Sequence, residues 1–226
     1  NQYPGTFQDD HAWPMPVIAE TYPGLTNDCC GLHVREEHVI AALDSAKTGP
    51  IAEGNVGGGT GMVTYEFMGG TGTASRNINI GDRNYNVGAL VQSNFGVRHE
   101  LTVLGVPIGK HMPEDAIISK LLGHEQGSII VIIGTDLPLQ PIQLHRVAKR
   151  GAIGIGRTGT SGGNYSGDIF LAFSTANEIE LPGMMEKQPE SFDLGFINEY
   201  HLDTIFEATA QAIDSPSKVA VPRPIS

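Results

Sequence analysis

The spacing of apolar and polar residues divides this chain into alternating blocks of helix and strand. Glu36 to Lys47 carries apolar side chains at Val39, Ile40, Leu43 and Ala46, the spacing of one helical face, and stops at Gly49-Pro50. Met62 to Met68 reads as a short strand flanked by glycine clusters. Tyr85 to Asn94 is dense in β-formers, and a turn at Phe95-Gly96-Val97-Arg98 leads to an adjacent strand, Leu101 to Val106. Ser128 opens Ile129-Ile130-Val131-Ile132-Ile133, consecutive branched residues that predict a central strand covered on both faces. Pro138 to Arg150 predicts a Pro-initiated helix with apolar positions Ile142, Leu144, Val147 and Ala148 and a basic end, Lys149-Arg150, that suits its C-terminal dipole. Asp168 to Ser174 reads as a further strand, Phe192 to Ile213 as a closing helix, and Pro222 and Pro224 as a loose tail. Strand-rich blocks with flanking helices imply a layered α/β architecture in one domain over 1–226.

Composition narrows the classes of function. With 226 residues, 40% of them hydrophobic and 17% charged, the chain can bury a core and differs from a disordered tail. Fourteen Lys and Arg against 25 Asp and Glu leave a net charge of −11, which opposes association with phosphates, so no nucleic acid is expected as a partner. The apolar run Ile129 to Ile133 falls far short of the ~20 residues that span a bilayer, so no membrane is expected either. Cys29 and Cys30 are adjacent and form no loop-closing staple, and cytoplasm and periplasm stay open as locations. Asn1 to Pro16 lacks the basic start and apolar stretch of a signal peptide, and the missing initiator Met leads us to expect a segment upstream. Glycine contributes 29 of 226 residues and clusters at Gly54 to Gly61, Gly69 to Gly72 and Gly151 to Gly167, which marks shaped backbone.

Several motifs fit familiar chemistry only as strings. Gly154 to Gly159 satisfies G-x-G-x-x-G, but a helix precedes it and a strand follows, the reverse of a dinucleotide site, so it reads as a helix terminus and turn. Gly159-Thr-Ser-Gly-Gly163 fits the nucleophile elbow of a serine esterase, with Asp193 and His201 following in the right order. Ser161 again lies between helix and strand in the wrong order and is the alternative nucleophile. His33 and His38 are five apart, unlike the i, i+4 pair of a zinc hydrolase, and the eight histidines form no ligand pattern, so no metal and no cofactor are expected. Gly57 to Gly59 lacks the Gly-Lys-Ser/Thr ending of a phosphate loop.

One segment resembles a known family. His124-Glu-Gln-Gly-Ser-Ile-Ile-Val-Ile-Ile-Gly-Thr-Asp-Leu-Pro-Leu139 is similar to the autocleavage region of the L-aminopeptidase/D-amidase-esterase and β-peptidyl aminopeptidase family. The likeness extends in chain order through Val17 to Tyr22, Ala41 to Lys47, Glu53 to Gly61, Gly69 to Ser75, Leu90 to Asn94 and Ser166 to Ala176. The resemblance implies a four-layer α/β/β/α sandwich of the amino-terminal-nucleophile type. It also implies a precursor cut between Gly127 and Ser128 into an α-chain, 1–127, and a β-chain, 128–226. Ser128 would then be the catalytic nucleophile, Ser166 and Asp168 would orient it, and Asn94 would stabilise the oxyanion. The products expected are those of an aminopeptidase acting on small peptides, amides or esters, β-peptides and D-residue amides included. Homo-oligomers of two-chain protomers are implied as well, and an uncleaved non-enzymatic member is the other reading. The family supplies an acidic residue for the substrate ammonium and an oxyanion tyrosine from a longer amino-terminal region, and neither role is assigned here.

The chemistry of such a site follows from one pKa. A free α-amine titrates at about 7.7–8.0, against about 10.4 for lysine, so a terminal amine is a base near neutrality. A terminal serine therefore carries hydroxyl and base on one residue and needs no histidine. Gly127 offers little steric cover to its own carbonyl.

Overall fold

The computed structural model describes residues 16–219 except 115, 124, 126, 180, 181 and 183–185. In chain order they form α1 (Glu36–Asp44), β1 (Val63–Thr64), β2 (Phe67–Met68), β3 (Gly70–Ile80), β4 (Arg83–Asn94), α2 (Ile117–Leu122), β5 (Ser128–Thr135), α3 (Pro141–Ala148), α4 (Gly151–Gly156), β6 (Ile169–Ser174) and α5 (Leu202–Val219). Four strands make one sheet in the order β3-β4-β5-β6, and β1 pairs with β2. β3, β4 and β5 run antiparallel in sequence, whereas β5 and β6 run parallel.

Period-two alternation gives this sheet two different faces. Val87, Ala89 and Val91 of β4 lie beside Ile129, Val131 and Ile133 of β5 in one buried cluster with Ile205, Phe206, Ala208, Ala212 and Ile213 of α5. Burying each of the Val, Ile and Phe side chains contributes roughly 1.5–3 kcal/mol, so this layer holds the fold. Arg76 of β3 adds a polar clamp, donating to Gln211 Oε1 at 3.2 Å, to the Gln211 carbonyl at 3.0 Å and to Ser215 Oγ at 2.9 Å. The opposite face carries Thr73, Ser75, Leu90, Ile132 and Phe173 and borders an open groove of about 450 Å³, which Gly49, Pro50 and Ile51 also line.

β5 lies between β4 and β6, the interior position its branched run predicts, but Ile132 borders the open groove, so among the described residues it is not covered on both faces. Helix α3 starts at Pro141, whose missing N–H suits the first helical position, and the Gln143 side chain accepts from the Gln140 N–H at 3.1 Å. The Gly154 to Gly159 string ends α4 and turns, with Gly159 at φ 114°. The described residues thus supply one four-stranded sheet, the separate β1–β2 pair, and one helical layer on one face of the larger sheet.

Four further sequence expectations need correction. Met62 to Met68 is a tight hairpin instead of one strand, because Tyr65 and Glu66 both take positive φ, 50° and 61°. Arg98 holds that turn, donating to the Tyr65 carbonyl at 2.9 Å and the Glu66 carbonyl at 2.7 Å while its guanidinium lies 3.6 Å from the Phe67 ring centroid. Leu101 to Val106 folds back on itself through a Val103–Val106 bridge, with Leu104 at φ 50°. Residues 192–198 are irregular, and the closing helix starts at Leu202 after Asn198 Oδ1 accepts from the Tyr200 N–H at 3.0 Å. β3, which the pattern does not predict, pairs along all eleven residues with β4. Pro222 and Pro224 lie outside the described residues.

Candidate active site

Antiparallel pairing of β4 with β5 places Asn94 directly opposite Ser128, on the face away from α5. Parallel pairing of β5 with β6 sets Ile130 level with Ile169, so the approach to β6 lies beside the start of β5. Three segments distant in sequence therefore meet at one end of the sheet: the end of β4, the start of β5, and Ser166-Gly167-Asp168.

The Ser128 hydroxyl donates to the carbonyl of Gly127 at 2.7 Å and accepts from the Gly167 N–H at 3.1 Å. The hydroxyl thus lies against the peptide group it would attack. A Cβ on Gly127 would stand 2.0 Å from the Asn94 carbonyl oxygen, so this crossing of chains admits only glycine. One residue either side of Gly167, Ser166 Oγ donates to Asp168 Oδ1 at 2.5 Å, a short charge-assisted bond.

Asn94 is buried, and its amide orientation follows from its partners. Oδ1 accepts from the Val63 N–H at 2.8 Å, and Nδ2 donates to the Tyr22 carbonyl at 2.8 Å. A backbone N–H only donates and a carbonyl only accepts, so the amide cannot be reversed without losing both bonds. Nδ2 carries a second N–H, the donor capacity an oxyanion requires. The glycine clusters serve this end of the sheet. Gly70, at φ 133°, brings β3 so close to the preceding loop that a Cβ would fall 2.0 Å from the Gly54 carbonyl.

Glu125 was not among the residues singled out from sequence, yet it lies at the centre of this arrangement. Oε1 accepts from the Gly96 N–H at 2.7 Å, and Oε2 accepts from the Gly163 N–H at 2.9 Å. Burial pushes its carboxyl above the ordinary glutamate range, the Gly96 N–H opposes that, and the charges of Glu100 and Asp168 add to it. Beside it, burial raises the Tyr65 phenol, whose oxygen meets Thr158 Oγ1 at 2.5 Å and accepts from the Thr160 N–H at 3.1 Å.

The rival nucleophile finds no such setting. Ser161 is exposed in the loop between α4 and β6, and among the described residues no hydrogen bond joins it to Asp193 or His201. A strand-turn-helix elbow is not what surrounds it. His33 contacts Asp28 at 3.1 Å on the surface, and His38 Nδ1 accepts from the Arg35 N–H at 3.0 Å. Residues His124 and Gln126 of the quoted segment lie outside the described residues.

The model of peptidase family S58 matches residues 4–217. Among curated proteins, beta-peptidyl aminopeptidase BapA of Sphingosinicella microcystinivorans is 46% identical over 219 residues, covering 90% of this chain and 53% of that protein. BapA of Sphingosinicella xenopeptidilytica is 48% identical over 180 residues, covering 75% of this chain and 44% of that protein. Among solved structures, the L-aminopeptidase D-Ala-esterase/amidase of Ochrobactrum anthropi, described as a new variant of the Ntn hydrolase fold, matches with a TM-score of 0.88 at 49% identity. That match covers 97% of this chain and 59% of that one. A Burkholderia beta-aminopeptidase matches with a TM-score of 0.82 at 43% identity, covering 92% of this chain and 57% of that one. The fold is therefore of the amino-terminal-nucleophile hydrolase type. The chain spans about half the length of the curated relatives it matches.

Proposed function

The chain belongs to peptidase family S58, and from that membership we propose that it is the self-processing, serine-bearing part of an aminopeptidase. The observation that carries the reading is the Ser128 hydroxyl at 2.7 Å from the Gly127 carbonyl oxygen, with Asn94 opposite and Ser166-Gly167-Asp168 alongside. In maturation, Ser128 Oγ attacks the Gly127 carbonyl carbon, the C–N bond breaks, and an ester links Gly127 to the Ser128 side chain. Water hydrolyses that ester, leaving a Gly127 carboxylate and a free Ser128 amine. The residues 1–127 and 128–226 stay together because β5 remains paired with β4 across the cut and α5 remains packed on β3 and β4.

In turnover, the freed amine accepts the proton of its own hydroxyl as Oγ attacks the substrate carbonyl. Negative charge gathers on the substrate oxygen, and the second N–H of Asn94 Nδ2 stabilises it, a contribution of about 3–4 kcal/mol for one such donor. Asp168, held by Ser166, favours the protonated amine that forms. The amine of the departing residue takes that proton as the tetrahedral intermediate collapses to an acyl-enzyme, and water then releases the acid. The substrates are peptides, amides or esters with a free amino-terminal residue, β-residues included, as the BapA and Ochrobactrum names suggest. Two-chain protomers assemble into a homo-oligomer, which light scattering checks.

Denaturing electrophoresis with amino-terminal sequencing tests the reading. Two bands are expected, one beginning Ser-Ile-Ile. A working enzyme whose Gly127–Ser128 bond is whole overturns it.

A further inference from the structure

Maturation needs the Gly127–Ser128 bond held still against three separate segments, and one side chain touches or flanks all of them. Glu125 is two residues before that bond and is only 8% exposed. Its Oε1 accepts from the N–H of Gly96, the second residue after Asn94, at 2.7 Å. Its Oε2 accepts from the N–H of Gly163, in the loop leading to Ser166 and Asp168, at 2.9 Å, and from Thr160 Oγ1 at 3.4 Å. That loop is wound around the carboxylate: the Gly162 N–H donates to Thr160 Oγ1 at 3.1 Å, and a Cβ on Gly163 would fall 2.7 Å from Glu125 Oε2. Gly163 brings bare backbone to Oε2, while Gly96, at φ 82° with the Tyr65 ring where a Cβ would stand, turns its N–H to Oε1.

We propose that Glu125 is a positioning residue for self-cleavage, its two carboxylate oxygens fastening the segment before the cut to the Asn94 turn and to the Ser166–Asp168 loop, and so aligning Gly127 with the Ser128 hydroxyl. This inference rests on the reading of Ser128 given above. An ionised carboxylate presents acceptors alone on both oxygens. A glutamine of nearly the same shape keeps one acceptor and turns an NH₂ toward the remaining N–H, so one of the two fastenings breaks. A misplacement of about 1 Å in a reacting pair costs on the order of 10²-fold in rate. After the cut, Glu125 and Gly163 belong to different chains, and the same bond helps keep the pieces together.

The test follows scission in freshly translated whole protein by intact mass over time, for the wild type, Glu125→Gln and Gly163→Ala. Gly163→Ala pushes the loop from the carboxylate without altering it. Both variants are expected to divide about 10²-fold more slowly than the wild type, while thermal unfolding remains cooperative with a midpoint close to that of uncut Ser128→Ala. Glu125→Gln dividing at the wild-type rate overturns the inference and leaves the Ser128 reading standing. Slow scission that merely accompanies lost cooperative unfolding in both variants assigns Glu125 a structural role and overturns it too. A wild type that never divides overturns both.

Discussion

The two faces of the β4–β5 pair divide stability from chemistry. One face presents Val87, Ala89, Val91, Ile129, Val131 and Ile133 to α5, all buried. The other carries Leu90, Gln92, Ile130 and Ile132 up to Asn94 and Ser128, and it borders an open groove among the described residues. A strand turns successive side chains to opposite sides, so one eight-residue segment can anchor the fold and carry the proposed nucleophile without either role disturbing the other. Substitutions on the two faces should accordingly fail in different ways.

The largest effect is expected from Ser128→Ala on the open face. Scission should stop and amidase activity should fall by about 10⁴-fold or more, while circular dichroism and the unfolding transition persist. Unchanged activity would break the comparison at its root. Asn94→Ala should lower kcat by about 10²–10³-fold, with a loss of about 1–3 kcal/mol from the two hydrogen bonds it leaves open at Val63 and Tyr22. Steady-state kinetics beside urea unfolding separate those two losses. On the buried face, Ile133→Ala should cost about 2–5 kcal/mol in urea unfolding and leave activity per folded molecule unchanged. Leu90→Thr, on the open face, should change stability by no more than about 0.5 kcal/mol if solvent covers it. A loss several times larger would show that this face is covered in the whole protein.

The smallest effect is a slope with pH. Burial raises the Glu125 carboxyl, so the native state binds more protons than the unfolded chain between the ordinary glutamate range and the raised value. Stability therefore falls as pH rises through that window and is flat with respect to this group on either side. Unfolding midpoints across that window should slope downward in uncut Ser128→Ala, and the slope should weaken when Glu125→Gln is added.

Legibility differed along the same lines. The branched run Ile129 to Ile133 is so apolar that only an interior strand accommodates it, and Ser128 at its head was marked by the likeness of the surrounding segment. β3, by contrast, reads Gly-Thr-Gly-Thr-Ala-Ser-Arg-Asn and is poor in β-branched residues over that stretch; it is a strand because β4 offers an edge that it pairs along its whole length. Leu101 to Val106 is apolar enough for a strand, yet Leu104 turns the chain back before a ladder can form. Helix α1 has the spacing of an amphipathic helix, but Val39, Ile40 and Leu43 stand exposed among the described residues. Glu125 was present in the segment that pointed to Ser128, but nothing local distinguishes a carboxylate that reaches Gly96 and Gly163 from one that faces water.

Local order alone determined the interior strand, the proline-started helix α3 and the Gly127-Ser128 pair, because side-chain branching, a missing amide hydrogen and bare glycine act over neighbouring residues. Tertiary structure decided which groups surround Ser128, since Asn94, Glu125 and Asp168 come together only when β5 pairs antiparallel with β4 and parallel with β6. Hydrogen bonds of about 3 Å depend on that register, and a shift of one residue would carry Ser128 to the buried face.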